Sequence, residues 1–355
     1  MSKPIVRALK EKSKIIIAGP CSAENRNQVF ETAQVLKKQN VTAFRAGIWK
    51  PRTRPNSFEG IGLAAIDWMK EVQSELELPI CTEVASTKHV EACLNAGFDA
   101  LWIGARTTVN PFLVQELAES LKGVDIPIFI KNPIHAENGL WIGAIERFQK
   151  AGVQHLATIF RGFFTMNSAP YRNDPKWRLA LEIKRLFPDL PMICDPSHIA
   201  GTPELIPALS QTAYDLSFDG LMIETHPQPE LALSDAQQQI KPEELKRILD
   251  NLLVKQKQFE VVAPTQEMEN LRQHINTIDD QLIDFLEQRF QLIDQIGALK
   301  KEHHVQVFQI ERYQEMLDNQ LNKSYQYLNS SLVKDLFELI HKHSIAYQTQ
   351  LNLKH

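Results

Sequence analysis

The chain has 355 residues, of which 43% are hydrophobic and 23% charged, with 39 Lys and Arg against 43 Asp and Glu. That composition is typical of a globular protein with ample apolar material for a core, and it excludes a disordered chain. The formal net charge of −4 gives no electrostatic reason to expect nucleic acid or an anionic membrane surface as a partner.

The chain contains two kinds of sequence. All 19 prolines lie at or before Pro264, and so do all five tryptophans and every one of the 14 glycines except Gly297. At about 150 residues per domain, the length predicts roughly two domains. We expect a first domain over 1–255, a linker over 256–264 and a second domain over 265–355.

The cysteine content and the first residues predict a cytoplasmic protein. The four cysteines (Cys21, Cys81, Cys93 and Cys194) are too few for a disulfide scaffold in a chain of this length. Residues 1–14 have no apolar segment of the signal-peptide kind, and no run approaches the ~18 apolar residues of a membrane helix.

Eight short apolar runs recur through the first part of the chain. They cover 14–19, 43–47, 79–84, 100–104, 127–131, 155–160, 191–196 and 220–225. Helical patterns lie between them, for example over 27–39, 62–76, 86–96, 111–121 and 176–187. Such alternation is typical of a parallel sheet covered on both faces, and eight units predict an α/β fold of the (β/α)₈ TIM-barrel type. A doubly wound open sheet is the alternative, but no run is followed by the Gly-x-Gly-x-x-Gly of a dinucleotide site.

A barrel of this kind carries its chemistry at the carboxyl ends of its strands. At or just past the ends of the eight runs lie Cys21, Arg45 with Lys50, Arg52 and Thr53, Glu83, Arg106, Lys131, Arg161, His198 and Glu224. One charged residue at a strand end is usually solvated. A residue able to bind an anion or a metal at every strand end predicts one shared pocket.

These residues divide by chemistry. Six of them are cations: Arg45, Lys50, Arg52, Arg106, Lys131 and Arg161. Because crowded cations repel, they predict a pocket for phosphates and carboxylates. A second set offers a thiol, an imidazole and two carboxylates: Cys21, His198, Glu224 and Asp235. This set suits a divalent transition metal better than magnesium or calcium. The alternative is a buried cysteine, a helix-capping histidine and two surface acids.

The segments around these residues carry a resemblance. They are AGPCSAE (18–24), FRAGIWKPRTRPNSFEG (44–60), WIGART (102–107), FIKNP (129–133), IFRGF (159–163), DPSH (195–198), MIETH (222–226) and LSDAQQQ (233–239). Over about residues 14–255 they resemble the DAHP (3-deoxy-D-arabino-heptulosonate 7-phosphate) synthases of the shorter bacterial class, which are related to the 3-deoxyoctulosonate 8-phosphate synthases. The run KPRT (50–53) favours erythrose 4-phosphate over arabinose 5-phosphate as substrate.

The resemblance implies condensation of phosphoenolpyruvate with erythrose 4-phosphate and a divalent metal, Mn²⁺ or a similar ion such as Co²⁺, Fe²⁺ or Zn²⁺. By similarity, phosphoenolpyruvate would be held by Arg106, Lys131 and Arg161, with Arg45 and Lys50 near its carboxylate. Arg52 and Thr53 would bind the erythrose phosphate. Glu83 would help to position water or a cation, and Lys50 is a candidate proton donor. The metal ligands would be Cys21, His198, Glu224 and Asp235.

From Thr265 onwards the sequence is helical. The stretch 265–301 contains no Pro and only one Gly, and its apolar residues recur at helical spacing. A helix of that length, ~50 Å, needs a partner for its apolar stripe, most simply the same helix of a second chain. Further helices are expected over 309–322 and 331–350. The pattern alone is typical of a dimerisation or protein-interaction module.

Polar residues on these helices carry a second resemblance. They are Arg272, Arg289 and Lys300 on the first helix, Arg312 on the second, and Ser344 and Gln348 on the third. The segments LRQHINTIDDQLIDFLEQR (271–289), IGALK (296–300), VFQIER (307–312) and HSIAYQ (343–348) resemble the all-helical chorismate mutases over about residues 266–350.

This second resemblance implies rearrangement of chorismate to prephenate, which needs a cavity that binds two carboxylates and stabilises charge on the ether oxygen. By similarity, the carboxylates would be covered by Arg289, Arg312 and Arg272 from the partner chain. Lys300 and Gln348 would donate to the ether oxygen, with Ser344 at the same wall. The sequence departs from the common pattern at Gln309, where Asp is common, and at Tyr313, where Glu often contacts the substrate hydroxyl.

Together the two resemblances predict a bifunctional enzyme of aromatic biosynthesis that forms a homodimer through its helical domain, with further pairing through the barrels left open. Because the first strand begins near residue 14, we expect no separate N-terminal regulatory domain. We therefore expect prephenate or chorismate, bound at the helical domain, to inhibit the barrel. The alternatives are a DAHP synthase with a catalytically inactive helical domain, and another phosphoenolpyruvate aldolase with a structural dimerisation arm.

Overall fold

The computed structural model describes residues 4–11, 14–51, 57–166, 169–253 and 266–353. It divides into two compact units, within Met1–Lys257 and Gln258–His355. The predicted linker over 256–264 lies outside the described residues.

The first unit is a closed barrel of eight parallel strands. The strands are β1 (Ile15–Gly19), β2 (Ala43–Arg45), β3 (Ile80–Val84), β4 (Ala100–Ile103), β5 (Ile128–Lys131), β6 (Leu156–Phe160), β7 (Met192–Cys194) and β8 (Gly220–Glu224). Each strand pairs with the next, and β8 pairs back with β1, from Ile15 opposite Gly220 to Gly19 opposite Glu224. The predicted barrel is confirmed, with every strand inside one of the eight apolar runs. The open-sheet alternative is wrong.

Eleven helices are described in this unit. They are α1 (Pro4–Glu11), α2 (Arg26–Lys37), α3 (Ala64–Leu76), α4 (Thr87–Ala96), α5 (Ala105–Thr108), α6 (Pro111–Ser120), α7 (Asn138–Lys150), α8 (Trp177–Leu186), α9 (Pro196–Ala200), α10 (Ile206–Asp215) and α11 (Pro242–Asn251). Side chains cap several of them: Asn25, Ser86 and Asn110 each accept a hydrogen bond from a backbone amide in the first turn of α2, α4 and α6.

Alternation along the strands builds two apolar layers. Inward side chains such as Ile17, Phe129 and Met222 fill the barrel interior. Outward side chains such as Ile16 and Ile130 pack against the helices. The strands are therefore buried on both faces, which is why they read as continuous apolar runs.

Helix α1 packs into the barrel itself. Ile5, Ala8 and Leu9 belong to the interior cluster together with Ile15 and Ile17 of β1. Because α1 ends four residues before β1 begins, it covers the amino-terminal end of the barrel. The opposite end of the barrel, where the predicted site residues lie, carries the loops that follow the strands.

The second unit contains α12 (Gln266–Glu302), α13 (Ile310–Leu321) and α14 (Ser330–Leu353). Its buried residues in the described region are Gly297, Val333, Ser344 and Gln348. A Cβ at Gly297 would lie 3.0 Å from Leu351 Cδ1 and 3.4 Å from Gln348 Cγ, so this glycine lets α14 lie close against α12. The predicted three-helix architecture is confirmed. Among the described residues, none of the helices has the length and apolar character needed to cross a membrane.

Candidate active sites in the barrel and the helical unit

The inward positions at the ends of four barrel strands carry charged groups instead of apolar ones. Arg45 ends β2, Lys131 ends β5, Glu224 ends β8, and Asp195 follows β7. All four are buried, with relative exposures of 1%, 4%, 0% and 0%. Such burial requires each charge to be paired.

The pairing runs across the barrel mouth. Arg45 Nη1 donates to Glu224 Oε1 at 3.1 Å, and Lys131 Nζ donates to Asp195 Oδ2 at 2.8 Å. Both cations also lie over the ring of Trp102, at 4.8 and 5.8 Å from its centroid. Burial opposes ionisation of Asp195, but His198 and Lys131 hold the pKa of its carboxyl well below the usual range. The mouth therefore contains fixed charges of both signs in a desolvated setting.

Three of the four predicted metal ligands converge. One ligand atom from each of Cys21, Glu224 and Asp235 lies within 4.8 Å of the other two. His198 stands beside them, with Nε2 3.9 Å from Glu224 Oε1 and Nδ1 2.8 Å from Asp195 Oδ2.

The chemistry of this group fits a divalent transition metal. The Cys21 thiol donates to Asp235 Oδ2 at 3.2 Å, and Lys50 Nζ donates to Cys21 Sγ at 2.9 Å and to the Cys21 carbonyl at 3.0 Å. Burial, followed by the charge of Glu224, raises the pKa of the Cys21 thiol to about 12. A nearby divalent cation would reverse that preference, because metals bind the thiolate. A buried thiol beside two carboxylates and an imidazole is a donor set of the zinc, iron or manganese kind.

Arg161, another of the predicted cations, follows β6 and is held by two asparagine side chains. Arg161 Nη1 donates to Asn173 Oδ1 at 2.7 Å, and its backbone N–H donates to Asn132 Oδ1 at 2.7 Å. Burial lowers the pKa of Arg161 to about 10 although the charge of Asp195 opposes this, and the nearby charges of Arg172 and Arg106 lower it further. Three guanidinium groups close to one another favour a bound anion between them.

Of the other predicted barrel residues, one is exposed, one is half-buried, and two lie outside the described residues. Arg106 is exposed on α5. Glu83 is half-buried, and its Oε2 accepts a hydrogen bond at 2.9 Å from Trp102 Nε1. Glu83 therefore fixes the ring over which Arg45 lies. Arg52 and Thr53 fall in 52–56, outside the described residues.

Three further polar residues belong to this site but are not among those that the sequence predicts. Asp195 pairs with Lys131, as described above. Arg172 donates from both terminal nitrogens to Asp235 Oδ1, at 3.2 and 3.1 Å, and also to Gln238 Oε1. Gln238 Nε2 in turn donates to Glu224 Oε2 at 2.6 Å. Asp195 and Gln238 lie within two of the segments that carry the resemblance, DPSH (195–198) and LSDAQQQ (233–239), and could have been found there. Arg172 lies in a loop outside all of those segments.

In the helical unit, four predicted residues form one polar cluster. Arg289 Nη1 donates to Ser344 Oγ at 2.7 Å, and Gln348 Nε2 donates to the Ile293 carbonyl at 3.4 Å. Lys300 Nζ donates to the Val307 carbonyl at 2.7 Å. Ser344 and Gln348 are 3% and 5% exposed, the most buried polar groups described in this unit.

The other predicted mutase residues are not part of that cluster. Arg312 pairs with Glu315 on the surface of α13, and Arg272 pairs with Glu269 on the surface of α12. Arg272 is 17 residues from Arg289 along one helix, about 25 Å away. It cannot reach the Arg289 pocket of its own chain. Gln309 precedes α13 without a side-chain cap, and Tyr313 stacks on His341 with ring centroids 4.4 Å apart.

Comparison with known proteins identifies both units. Residues 6–260 match the DAHP synthetase I family, and residues 271–349 match chorismate mutase type II. The first unit is a (β/α)₈ barrel with paired charges at its mouth. The protein belongs to the DAHP synthetase I family and carries an additional chorismate mutase type II domain.

Individual relatives agree. The chain is 32% identical over 247 residues to phospho-2-dehydro-3-deoxyheptonate aldolase of Thermotoga maritima, covering 68% of this chain and 71% of that protein. A crystal structure of DAHP synthase from that organism matches with a TM-score of 0.61 and 29% identity, covering 67% of this chain and 68% of that one. A 2-dehydro-3-deoxyphosphooctonate aldolase of Bordetella petrii is 26% identical over 264 residues, which are 67% of this chain and 89% of that protein.

Proposed function

We propose that the chain is a bifunctional enzyme of the shikimate pathway. The barrel would condense phosphoenolpyruvate with erythrose 4-phosphate to DAHP and phosphate, and the helical unit would convert chorismate to prephenate. The observation that carries the first activity is the barrel mouth, where buried Arg45 and Lys131 and half-buried Arg161 accompany the group Cys21, Glu224 and Asp235.

The synthase reaction joins C3 of phosphoenolpyruvate to the aldehyde carbon of erythrose 4-phosphate. Water adds to C2, and phosphate leaves with cleavage of its C–O bond. Lys131 and Arg161 would hold the phosphate and carboxylate of phosphoenolpyruvate, because both are cations at least partly removed from water that an anionic ligand would neutralise. Lys50, whose ammonium lies beside Cys21, would donate a proton to the oxygen of the former aldehyde. Arg52 and Thr53 remain the predicted ligands of the erythrose phosphate.

Cys21, His198, Glu224 and Asp235 would hold the divalent metal. When bound, the ion supplies Lewis-acid polarisation of the aldehyde carbonyl. The neighbouring Arg45 and Lys50 would orient the ligands: Arg45 donates to Glu224 Oε1, and both donate to the Cys21 carbonyl.

The mutase reaction needs no nucleophile and no acid–base pair. Arg289, which donates to Ser344, would bind a carboxylate of chorismate, and Lys300 and Gln348 would donate to the ether oxygen as charge develops there. Arg312 would flank the substrate, and Arg272 would come from the partner chain of a homodimer. The free, buried cysteines of the barrel support a cytoplasmic enzyme.

Both activities can be tested on single samples of the full chain. We expect Cys21→Ala, or removal of divalent metal by a chelator, to abolish loss of phosphoenolpyruvate while chorismate consumption continues. Lys300→Ala should have the opposite effect, with at least a hundredfold loss of mutase turnover because one donor to the ether oxygen is removed. Synthase turnover that persists without metal would refute the metal assignment. Normal mutase turnover in Lys300→Ala would refute the mutase site.

A second candidate function is favoured by Gln309 and Tyr313, which depart from the mutase pattern. In that case the helical unit binds its ligand without turnover and serves only in regulation and dimerisation. Measuring chorismate consumption by the wild-type chain separates the two, since this alternative predicts no consumption.

We further propose that prephenate or chorismate bound at the helical unit inhibits the barrel. Linkage requires the ligand to bind more tightly when the barrel is in its less active state. Synthase activity should fall when prephenate is added to the wild-type chain and should not respond in Arg289→Ala, whose carboxylate site is impaired. Equal inhibition of both proteins would place the effector elsewhere, and no inhibition of the wild type would refute the proposal.

A further inference from the structure

A histidine shares the pocket face of α14. His341, Ser344 and Gln348 are spaced i, i+3 and i+7, which places them on one side of the helix. Ser344 contacts Arg289, and Gln348 reaches the Ile293 carbonyl, so this is the side that faces α12. His341 is not among the residues proposed to bind chorismate.

The surroundings of His341 are aromatic on one side and cationic on the other. Its ring stacks on Tyr313 at 4.4 Å with an interplanar angle of 29°, and Phe308 lies 5.9 Å from it. The His341 Nε2 atom is buried, and it has no hydrogen-bond partner among the described residues. Native proteins rarely leave a buried polar atom in this condition unless a ligand or water completes it.

The charges around His341 decide what kind of partner it can take. Burial lowers the pKa of His341, and the charges of Arg289 and Lys300 lower it further. The ring is therefore neutral at neutral pH, and Nε2 carries a lone pair when the proton is on Nδ1. A neutral acceptor beside two cations suits a hydroxyl, because the carboxylates of a substrate would turn to the cations instead.

We propose that His341 Nε2 accepts a hydrogen bond from the ring hydroxyl of chorismate, with the Tyr313 ring holding the imidazole in place. This inference rests on the proposed mutase function. It also accounts for Tyr313 at a position where a carboxylate often receives that hydroxyl: the acceptor is moved from α13 to α14, and an aromatic side chain on α13 supports it.

The test compares two substrates across three variants of the full chain. The substrates are chorismate and its analogue with hydrogen in place of the ring hydroxyl. For the wild type, we expect the analogue to have a kcat/KM lower by about five- to tenfold, the effect of one hydrogen bond. His341→Leu should lower kcat/KM for chorismate by a similar factor and show no difference between the two substrates. His341→Gln, which returns an acceptor oxygen, should recover part of the difference, and Tyr313→Phe, which keeps the ring, should behave as the wild type.

Synthase turnover of the same samples should be unchanged, and their helical circular dichroism signal, which includes that of the mutated unit, reports whether each variant is folded. If His341→Leu still distinguishes the two substrates as the wild type does, the inference is wrong. It is also wrong if Tyr313→Phe is the variant that loses the difference, since the phenol would then make the contact. If the wild type consumes no chorismate, the mutase function itself fails, which is a separate result.

Discussion

Arg172 connects a loop of the barrel to the carboxylates of the proposed metal site. Its backbone N–H donates to the Ile199 and Ala200 carbonyls at 3.0 and 3.1 Å, and its guanidinium reaches Asp235 and Gln238. The loop fits closely, because a Cβ at Gly201 would lie 2.5 Å from Arg172 Cβ. Through Gln238 the same guanidinium also influences Glu224, so one side chain orients two of the proposed ligands.

We expect Arg172→Gln to weaken binding of Mn²⁺ to the full chain by about 10–100-fold, as loss of an outer-shell partner does in other metal sites. The physical reason is that Asp235 and Gln238 lose the group that fixes their orientation. Titration calorimetry with Mn²⁺ measures the affinity without turnover. Arg185→Gln is the matched control, because Arg185 pairs with Glu182 on the exposed face of α8. Equal affinities in the two variants would contradict the assignment.

Three of the predicted site residues are placed by strand periodicity alone. Arg45, Lys131 and Glu224 end buried strands in inward register, so alternation along each strand is enough to bring them together. Asp195 follows β7 and is also the N-cap of α9, where its side chain accepts a hydrogen bond from the His198 backbone amide. In the sequence, an Asp before Pro-Ser predicts only a helix cap, so its pairing with Lys131 could not be predicted. Arg172 lies eleven residues beyond Arg161 in a loop, where no period fixes a position.

Among the secondary-structure elements, β1 and β8 close the barrel. Gly220 begins β8 opposite Ile15, and a Cβ at Gly220 would lie 2.1 Å from the Ile15 carbonyl oxygen. That contact is with backbone, so no side-chain rotation relieves it. The glycine is therefore required by the approach of the two strands.

Gly220→Ala should destabilise the barrel by about 3 kcal/mol, the scale of overpacking in a core. The melting temperature of the barrel transition should fall by about 6–12 °C. Differential scanning calorimetry measures both. Gly139→Ala is the control, because its Cβ would meet the flexible Glu137 carboxylate at 3.3 Å in the first turn of α7. That change should shift stability by less than about 1 kcal/mol, and an equal loss in both variants would contradict the explanation.

The strands were predictable because each is a continuous apolar run with helices between, a pattern set by burial on both faces. Helix α1 was not, although it completes the core. It has eight residues, too few for a helical period to stand out. Its role depends on Ile5 and Leu9 packing against the interior of the barrel, whose strands follow it in the sequence. The stability of such a short helix comes more from tertiary packing than from its local sequence pattern.

At the scale of the whole molecule, one copy of the helical unit cannot bury its own apolar surface. Leu271, Ile275, Ile278 and Leu282 follow one another along α12 with exposures of 55–58%. We propose that this exposed apolar stripe is an interface with the same helix of a second copy, because the 37-residue α12 is long enough to cover it. A two-fold arrangement would also bring the first turns of α12 from one chain towards the Arg289 pocket of the other.

That arrangement predicts complementation between two inactive chains. In a heterodimer of Arg272→Ala with Arg289→Ala, one pocket combines an intact Arg289 with an intact Arg272 from the other chain, and the second pocket lacks both. Each homodimer should have little mutase activity, and the heterodimer, isolated with two different affinity tags, should regain about half of the wild-type turnover. Synthase activity should be the same in all three samples. A heterodimer as inactive as its parents would mean that Arg272 does not act across the interface, because two sites that each use their own chain's arginines would both remain damaged.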